Sequence, residues 1–173
     1  KSVRLIRDVD ALDAYLRDHP SRAVAQTFHP GPFEAGIFYY RLPNEVRGRI
    51  LSITRKEFPF VTGDGKSSLK QLIERHPRFS LQKQVFFERH AGRLEHVLES
   101  LERVPLALAG NHCQGTIFRD GAHWITPELE DAIDQIARTG AHFHFGRFDV
   151  RFSSVDAFLA GREFVVIELN GVT

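Results

Sequence analysis

Hydrophobic and polar residues alternate in two short segments near the start of the chain, as is typical of strands. These segments are SVRLIR at residues 2–7 and AVAQTF at residues 23–28. Between them, apolar residues recur every three to four positions after Asp8, which predicts a helix from Asp8 to Arg17. This part of the chain is therefore predicted to form a strand, a helix and a second strand.

Longer elements are predicted in the middle of the chain. Two strands, at residues 34–42 and 48–58, are separated by the turn PNEVRG. The stretch GDGKSSLKQLIERHP predicts a turn and then a helix, because Ser68 and Gln71 have the spacing of a capping box. A longer helix is predicted from about Gln84 to Glu102. Its inward residues are predicted to be Leu94, Val97, Leu98 and Leu101.

The last third of the chain predicts a hairpin, a helix and two strands. The hairpin spans residues 115–126 with its turn at Asp120–Gly121, and Thr126 caps the amphipathic helix that follows. The two closing strands are HFGRFDVRFS at residues 144–153 and EFVVIEL at residues 163–169. Strand, helix and strand followed by hairpins and helices predict a mixed α+β chain, with a small lobe leading into a larger antiparallel sheet.

Composition narrows the class of protein. The chain has 173 residues, 42% hydrophobic and 26% charged, which suits one domain or two small lobes. The net charge of +1 gives no electrostatic case for binding nucleic acid or a membrane surface, and no apolar run reaches the roughly 18 residues of a membrane span. Cys113 is the only cysteine, so no internal disulfide is possible. We therefore expect a reducing compartment, the cytoplasm.

Three polar residues stand out in the closing strands, whose apolar residues predict that both strands are buried. Glu168 and Asn170 are two apart, so their side chains share one face of a strand, and Asp149 can lie opposite them if the last two strands pair. Two carboxylates and an amide are oxygen ligands of the kind that Mg²⁺ prefers. The alternative is that Asp149 or Glu168 pairs with Arg147 or Arg151.

Several other motifs have simpler explanations. GDGKSS lacks the first glycine of a phosphate-binding P-loop, because Phe60 lies where that glycine is needed, so it predicts a tight turn before a helix. Arg55 and Lys56 end a strand and could reach a phosphate or be solvated. Glu34, which opens a strand, has no assigned role from its position alone.

Two further alternatives involve histidine and cysteine. His142 and His144 alternate along the chain and could bind zinc, although no third ligand is obvious. Cys113 could act as a nucleophile with His112 as its base, although adjacent residues seldom orient well for that chemistry.

Taken together, these segments resemble the ATP-grasp superfamily along nearly the whole chain. GRFDVRF…EFVVIELNG is similar to the Arg-x-Asp … Glu-x-Asn signature of D-alanine–D-alanine ligases and related carboxylate–amine ligases. FVTGDGKSSLKQLIERHPR is similar to a segment of the cyanophycin-synthetase-like branch, and PGPFEAGIFYYRLPNEVRGRILSITRKEFPFVTGDG to uncharacterised bacterial ATP-grasp proteins. The resemblance implies an α+β ATP-grasp fold, an antiparallel sheet flanked by helices. Residues 1–28 would be the remainder of the small lobe, and residues 29–173 the large lobe with the metal site.

The resemblance also implies roles for individual residues. Asp149, Glu168 and Asn170 match the family's Mg²⁺ ligands. Arg147 matches an arginine that contacts phosphate or the reacting acyl centre, and it is the predicted catalytic residue.

Three more residues match nucleotide contacts of the family. Glu34 matches the acid that binds the ribose, and Gln26 lies in the segment that lines the adenine. Lys56 is predicted to contact a phosphate.

The implied activity is an ATP- and Mg²⁺-dependent ligase, with Mn²⁺ as a substitute metal. It joins a small-molecule or peptide carboxylate to an amine, or to another nucleophile, through an acyl phosphate. The alternatives are a non-catalytic nucleotide-binding or regulatory module, an ATP-grasp kinase and, more distantly, a zinc hydrolase. The family's first lysine strand, glycine-rich phosphate loop and substrate-binding domain have no counterpart in the sequence. We therefore expect the fold to be truncated at its N-terminal side, and the segment to belong to a longer enzyme and to be inactive alone.

Overall fold

The computed structural model describes residues 4–19, 21–107, 110, 115–140 and 142–171. The chain divides into two compact units, Lys1–Pro30 and Gly31–Thr173. Each unit is described by itself below.

The helix predicted in the first unit is present. Helix α1 spans Val9–Asp18, and the Asp8 carboxylate accepts a hydrogen bond from the Ala11 N–H at 2.7 Å, which caps the helix as expected. The described residues 4–7 and 23–28 form no strand, so both strand predictions are wrong there. Most of these residues are exposed and none pairs with a neighbouring strand, which an extended segment needs for stability.

The second unit is built on antiparallel sheets. In the described part of the unit the strands are β1 (Phe33–Tyr40), β2 (Arg49–Glu57), β3 (Phe60–Thr62), β4 (Arg103–Pro105), β5 (Ile117–Asp120), β6 (Phe145–Phe152) and β7 (Phe164–Asn170). Five of them form one sheet in the order β5-β2-β1-β6-β7, and β3 pairs with β4 in a second sheet. Every pairing is antiparallel.

Four helices accompany these strands among the described residues. They are α2 (Leu69–Arg75), α3 (Lys83–Arg89), α4 (Pro127–Thr139) and α5 (Val155–Leu159), with 3₁₀ turns at Phe79–Gln82, Ala91–Arg93 and Ala122–Trp124. The mixed α+β class with an antiparallel sheet and flanking helices is therefore confirmed.

The main core lies on one face of the five-stranded sheet. Alternate residues of β1 and β6 point into it, and α4 and α5 cover it. The fully or almost fully buried members include Ala35, Ile37, Tyr39, Leu129, Ile133, Phe148, Val150, Phe152 and Phe158. Because side chains alternate along a strand, the intervening residues of β1 and β6 point to the opposite face.

A second core joins the small sheet to α2 and α3. Its buried members are Val61, Leu69, Ile73, Phe79, Phe86, Leu98, Val104 and Leu106. The predicted capping box is present at the start of α2, where Ser68 and Gln71 exchange hydrogen bonds. The predicted strand pair before this region and the helix capped by Thr126 are also confirmed.

Two predictions in this unit are wrong. The helix expected from Gln84 to Glu102 ends at Arg89, because the later backbone pairs with the GDGKSS turn instead. Leu98 donates its N–H to the Ser67 carbonyl at 3.3 Å and accepts one from Gly65 at 3.1 Å. The hairpin expected at Asp120–Gly121 is also absent. There, β5 pairs with β2, and the chain continues into a 3₁₀ turn.

In the described part of the chain, no helix combines the length and the apolar character that crossing a membrane requires.

Candidate metal and nucleotide site

Charged residues collect on the face of the main sheet opposite α4. Strand register pairs Glu34 on β1 with Lys56 on β2 and with Arg151 on β6. Two positions further along β1, Gly36 pairs with Asp149 of β6. Residues that pair across strands share a face, so long-range pairing brings four charged side chains together from three strands.

These side chains form a continuous network of ion pairs. The Lys56 Nζ lies 2.8 Å from Glu34 Oε1 and 3.1 Å from Asp149 Oδ2. Arg151 Nε lies 3.2 Å from Glu34 Oε2, and Arg147 Nε donates to Asp149 Oδ1 at 3.0 Å. Each of the two acids therefore contacts two cations.

Most of the network is withdrawn from water. Glu34 is 3% exposed, Asp149 4%, Lys56 8% and Arg151 9%, whereas the Arg147 side chain is 46% exposed. Unpaired charges at such burial would be costly, so the alternating signs are what make the cluster tolerable. Arg147 marks the end of the network that solvent or a ligand can reach.

The backbone at Gly110 covers the centre of the network. A Cβ added there would lie 2.5 Å from Glu34 Oε1 and 2.6 Å from Lys56 Cδ, so only glycine fits without displacing the pair. Gly36 acts similarly beneath Asp149, since a Cβ there would lie 3.1 Å from Arg147 Cδ. Glycine at both positions lets the backbone approach the charged side chains closely.

The predicted metal ligands lie on the paired strands β6 and β7. Asp149 pairs with Glu168, and Arg147 pairs with Asn170, next to a register irregularity after Asp149. All four side chains therefore point to the same face as the ion-pair network. The prediction that β7 is buried is wrong. It lies at the edge of the sheet, none of its residues is buried, and Glu168 is exposed.

The donor set fits a hard divalent cation. Two carboxylates and an amide oxygen lie on one face, and each carboxylate oxygen keeps a second lone pair when it accepts an ion pair. The Asn170 Nδ2 is buried without a hydrogen-bond partner in the described structure. Within the described ranges no three His, Cys, Asp or Glu side chains lie close enough together to hold a metal ion. Asp149 and Glu168 therefore have no third acid, histidine or cysteine beside them within these ranges, and Asn170 stays the predicted third ligand.

The alternative that Asp149 pairs with an arginine is observed for Arg147, while Arg151 pairs with Glu34 instead. Both pairings coexist with an exposed Glu168. The sequence contained a signal for this arrangement, because Arg147, Asp149 and Arg151 alternate in GRFDVRF. It did not indicate which acid each arginine contacts.

The predicted nucleotide contacts are distributed over both units. Glu34 and Lys56 belong to the network, and a ribose contact at Glu34 stays a prediction that would require one of its ion pairs to open. Gln26 is exposed in the first unit. Its contact with adenine likewise stays a prediction.

The GDGKSS segment forms the predicted turn. Asp64 accepts hydrogen bonds from the backbone and hydroxyl of Ser67 and from the Lys66 N–H, and these bonds lower its pKa to about 2. The Asp64 carboxylate thus holds the turn in shape before α2.

The histidine and cysteine alternatives receive no support from the described residues. His142 and His144 are exposed and precede β6. Among the described residues, neither belongs to a group of three or more His, Cys, Asp or Glu side chains that could hold a metal ion. His112 and Cys113 lie outside the described residues.

Two surface clefts, each of about 400 Å³, lie away from the network. One is bordered by Tyr40, Leu51 and Phe145, and the other by α4 and the segment before β7. His144 borders the first cleft, but neither cleft is lined by a member of the ion-pair network or by a predicted magnesium ligand.

No family model matches the sequence, and no curated protein matches it. The chain is similar to a bifunctional glutathione synthetase from Pasteurella multocida, with a TM-score of 0.46 and 15% sequence identity. The match covers 83% of this chain and 21% of the synthetase chain, so this chain spans about a fifth of that protein's length.

Proposed function

We propose that this chain is part of an ATP- and Mg²⁺-dependent carboxylate–amine ligase of the ATP-grasp type. The observation that carries the proposal is the pairing of Asp149 with Glu168, beside Arg147 and Asn170 on one face of the sheet. The resemblance of GRFDVRF and EFVVIELNG to the Arg-x-Asp … Glu-x-Asn signature supports the same assignment. The proposed substrates are ATP, a small-molecule or peptide carboxylate, and an amine.

Asp149, Glu168 and Asn170 would hold the metal. When bound, Mg²⁺ supplies charge neutralisation at the phosphate oxygens of ATP. The chain contributes oxygen ligands on a pair of antiparallel strands. Two cations, Lys56 and Arg147, hold the buried Asp149 in place.

Arg147 is suited to stabilising charge on the transferred phosphoryl group. Its Nε donates to Asp149, which orients the guanidinium, and its side chain is about half exposed. A guanidinium has five N–H donors, so one such bond leaves others to address phosphoryl oxygens. Gln26, Glu34 and Lys56 are the proposed contacts for adenine, ribose and phosphate.

The proposed reaction has two steps and needs no protein nucleophile. A carboxylate oxygen of the substrate attacks the γ-phosphorus of ATP, the bond to the bridging oxygen of ADP breaks, and an acyl phosphate forms. The amine then attacks the carbonyl carbon, inorganic phosphate leaves, and the amine loses a proton. The role of the chain is to position and neutralise the reacting groups.

A non-catalytic nucleotide-binding module is the second candidate. The observation that favours it is that both carboxylate oxygens of Asp149 are already paired with cations of the chain, Lys56 and Arg147. Such a module binds nucleotide without consuming it. A kinase of the same fold consumes ATP but leaves the phosphate on its product.

The proposal is tested by removing single charges from the predicted metal ligands. In the intact protein, Asp149→Asn and Glu168→Gln should each lower ATP turnover at least about a hundredfold, because a hard cation loses an anionic ligand. Turnover is measured as ADP release with Mg²⁺, ATP and a pool of amino acids and short peptides.

Asp156→Asn is the matched control, since it removes an exposed acid on α5, between the same two strands. It should retain wild-type turnover. Normal ADP release by either ligand variant would contradict the proposed metal site. Nucleotide binding without ADP release in the wild type would favour the non-catalytic module.

A further inference from the structure

Lys56 occupies the position of a counter-cation for the predicted metal ligand Asp149. Its ammonium lies 3.1 Å from Asp149 Oδ2 and is almost completely buried. Together with Arg147, Lys56 neutralises the carboxylate when no metal ion is bound.

The second partner of Lys56 gives the ammonium an alternative position. Glu34 accepts from Lys56 at the shorter distance of 2.8 Å, and Arg151 in turn contacts the other oxygen of Glu34 at 3.2 Å. Glu34 is therefore fixed from one side by Arg151. Lys56 can weaken its contact with Asp149 and keep a buried, charged partner.

From this geometry we propose that Lys56 competes with the divalent metal for Asp149, so that the metal binds well only together with nucleotide phosphates. This inference rests on the proposed function. Because the Lys56 ammonium contacts Asp149 Oδ2 at 3.1 Å, it would repel a divalent ion held by that carboxylate. The negative charges of a nucleotide offset that repulsion, which couples metal binding to ATP binding.

The size of the effect follows from Coulomb's law. At an assumed separation of about 6 Å, a single positive charge weakens the binding of a divalent ion by a factor on the order of ten, even at the dielectric constant of water, about 80. The burial of Lys56 makes that a lower bound.

The test is a titration of the intact protein with Mn²⁺ alone, in which electron paramagnetic resonance measures the concentration of the free ion. Lys56→Gln should bind Mn²⁺ at least about tenfold more tightly than the wild type, because the competing charge is gone. Glu34→Gln should bind it more weakly, because Lys56 then has only Asp149 as its anionic partner. General damage to the fold would weaken binding in both variants, so the opposite signs identify competition.

Arg55→Gln is the matched control for a change in net charge. Arg55 neighbours Lys56 on β2 but points to the other face, where its guanidinium lies 5.0 Å from the ring centroid of Trp124. It should leave Mn²⁺ affinity within about twofold of the wild type. Circular dichroism and thermal melting establish that each variant is folded.

The outcomes separate this inference from the proposed function. A folded Lys56→Gln that binds Mn²⁺ no more tightly than the wild type would overturn the inference. If Lys56→Gln does not fold, wild-type affinity in Glu34→Gln would overturn it equally. Absence of Mn²⁺ binding in the wild type, both alone and with a non-hydrolysable ATP analogue, would instead contradict the proposed metal site and the inference with it.

Discussion

Among the described residues, each buried acid contacts more than one hydrogen-bond donor or cation, and such acids lie on both faces of the sheet. On the α4 side, Asp134 is 4% exposed and its Oδ1 accepts from the Tyr39 hydroxyl at 2.7 Å and from the Gly48 N–H at 2.8 Å. Burial and this hydrogen bond raise the pKa of Tyr39 from 10.0 to about 12. Local geometry therefore determines the protonation state of Tyr39 as well as its position.

Removal of the Tyr39 hydroxyl should destabilise the protein. Tyr39→Phe takes one donor from a buried carboxylate, which costs about 2 kcal/mol of unfolding free energy near neutral pH. The pKa of Tyr39 is higher in the folded state than in the unfolded state. Its contribution is therefore fully present below pH 10 and lost as the pH rises towards 12. Urea unfolding at several pH values should show the difference between wild type and Tyr39→Phe shrinking over that range, and a constant difference would contradict this explanation.

The sequence predicted which charged residues share a face of the sheet better than it predicted which of them form ion pairs. Alternation in GRFDVRF places Asp149 on the same face as its neighbouring arginines, and the spacing of Glu168 and Asn170 predicts a shared face. The contact of Glu34 with Lys56 and Arg151 could not be predicted in this way. It depends on β1 lying between β2 and β6, a long-range pairing that short-range patterns do not encode.

At the scale of elements, helices formed as predicted where their capping signals involve only neighbouring residues. The helix capped by Thr126 and the capping box before α2 need only nearby residues, and both are present. The helix expected to continue to Glu102 had suitable spacing, but Leu101 adopts a left-handed backbone conformation with φ of 68°. Backbone pairing with the turn before α2 prevailed over helical propensity there.

Thr126 connects α4 to α5, the helix between the two strands that carry the site. Its hydroxyl oxygen accepts from the Leu129 N–H at the start of α4, and the hydroxyl donates to the Leu159 carbonyl at the end of α5. The α5 segment links β6 to β7, so this contact braces the strand pair that bears Asp149 and Glu168.

Thr126→Ala should lower the unfolding free energy by about 1 to 2 kcal/mol, because the cap and the contact with α5 are both lost. Thr126→Ser retains the hydroxyl and should cost less than half as much. Denaturant unfolding of the two variants measures the difference. Equal destabilisation by serine and alanine would show that the methyl group, and not the hydroxyl, matters.

For the whole molecule, the sequence predicted the α+β class but not which face of the sheet carries the core and which carries the charged residues. One face of the five-stranded sheet is closed by α4 and α5, and the other carries charges from three central strands and the edge strand β7. The pattern of β7 favoured burial because its residues are apolar. In the structure it is the last strand of the sheet, with an exposed Glu168 on the charged face.

We propose that the intact protein forms an acyl phosphate from ATP and a carboxylate. Hydroxylamine trapping tests it most directly, because an acyl phosphate is converted to a hydroxamate that iron(III) detects. With Mg²⁺, ATP and a pool of carboxylic acids, we predict hydroxamate in a one-to-one ratio with ADP, and neither product when ATP is omitted. ADP release without hydroxamate, or failure to bind Mg²⁺–ATP at all, would contradict the claim.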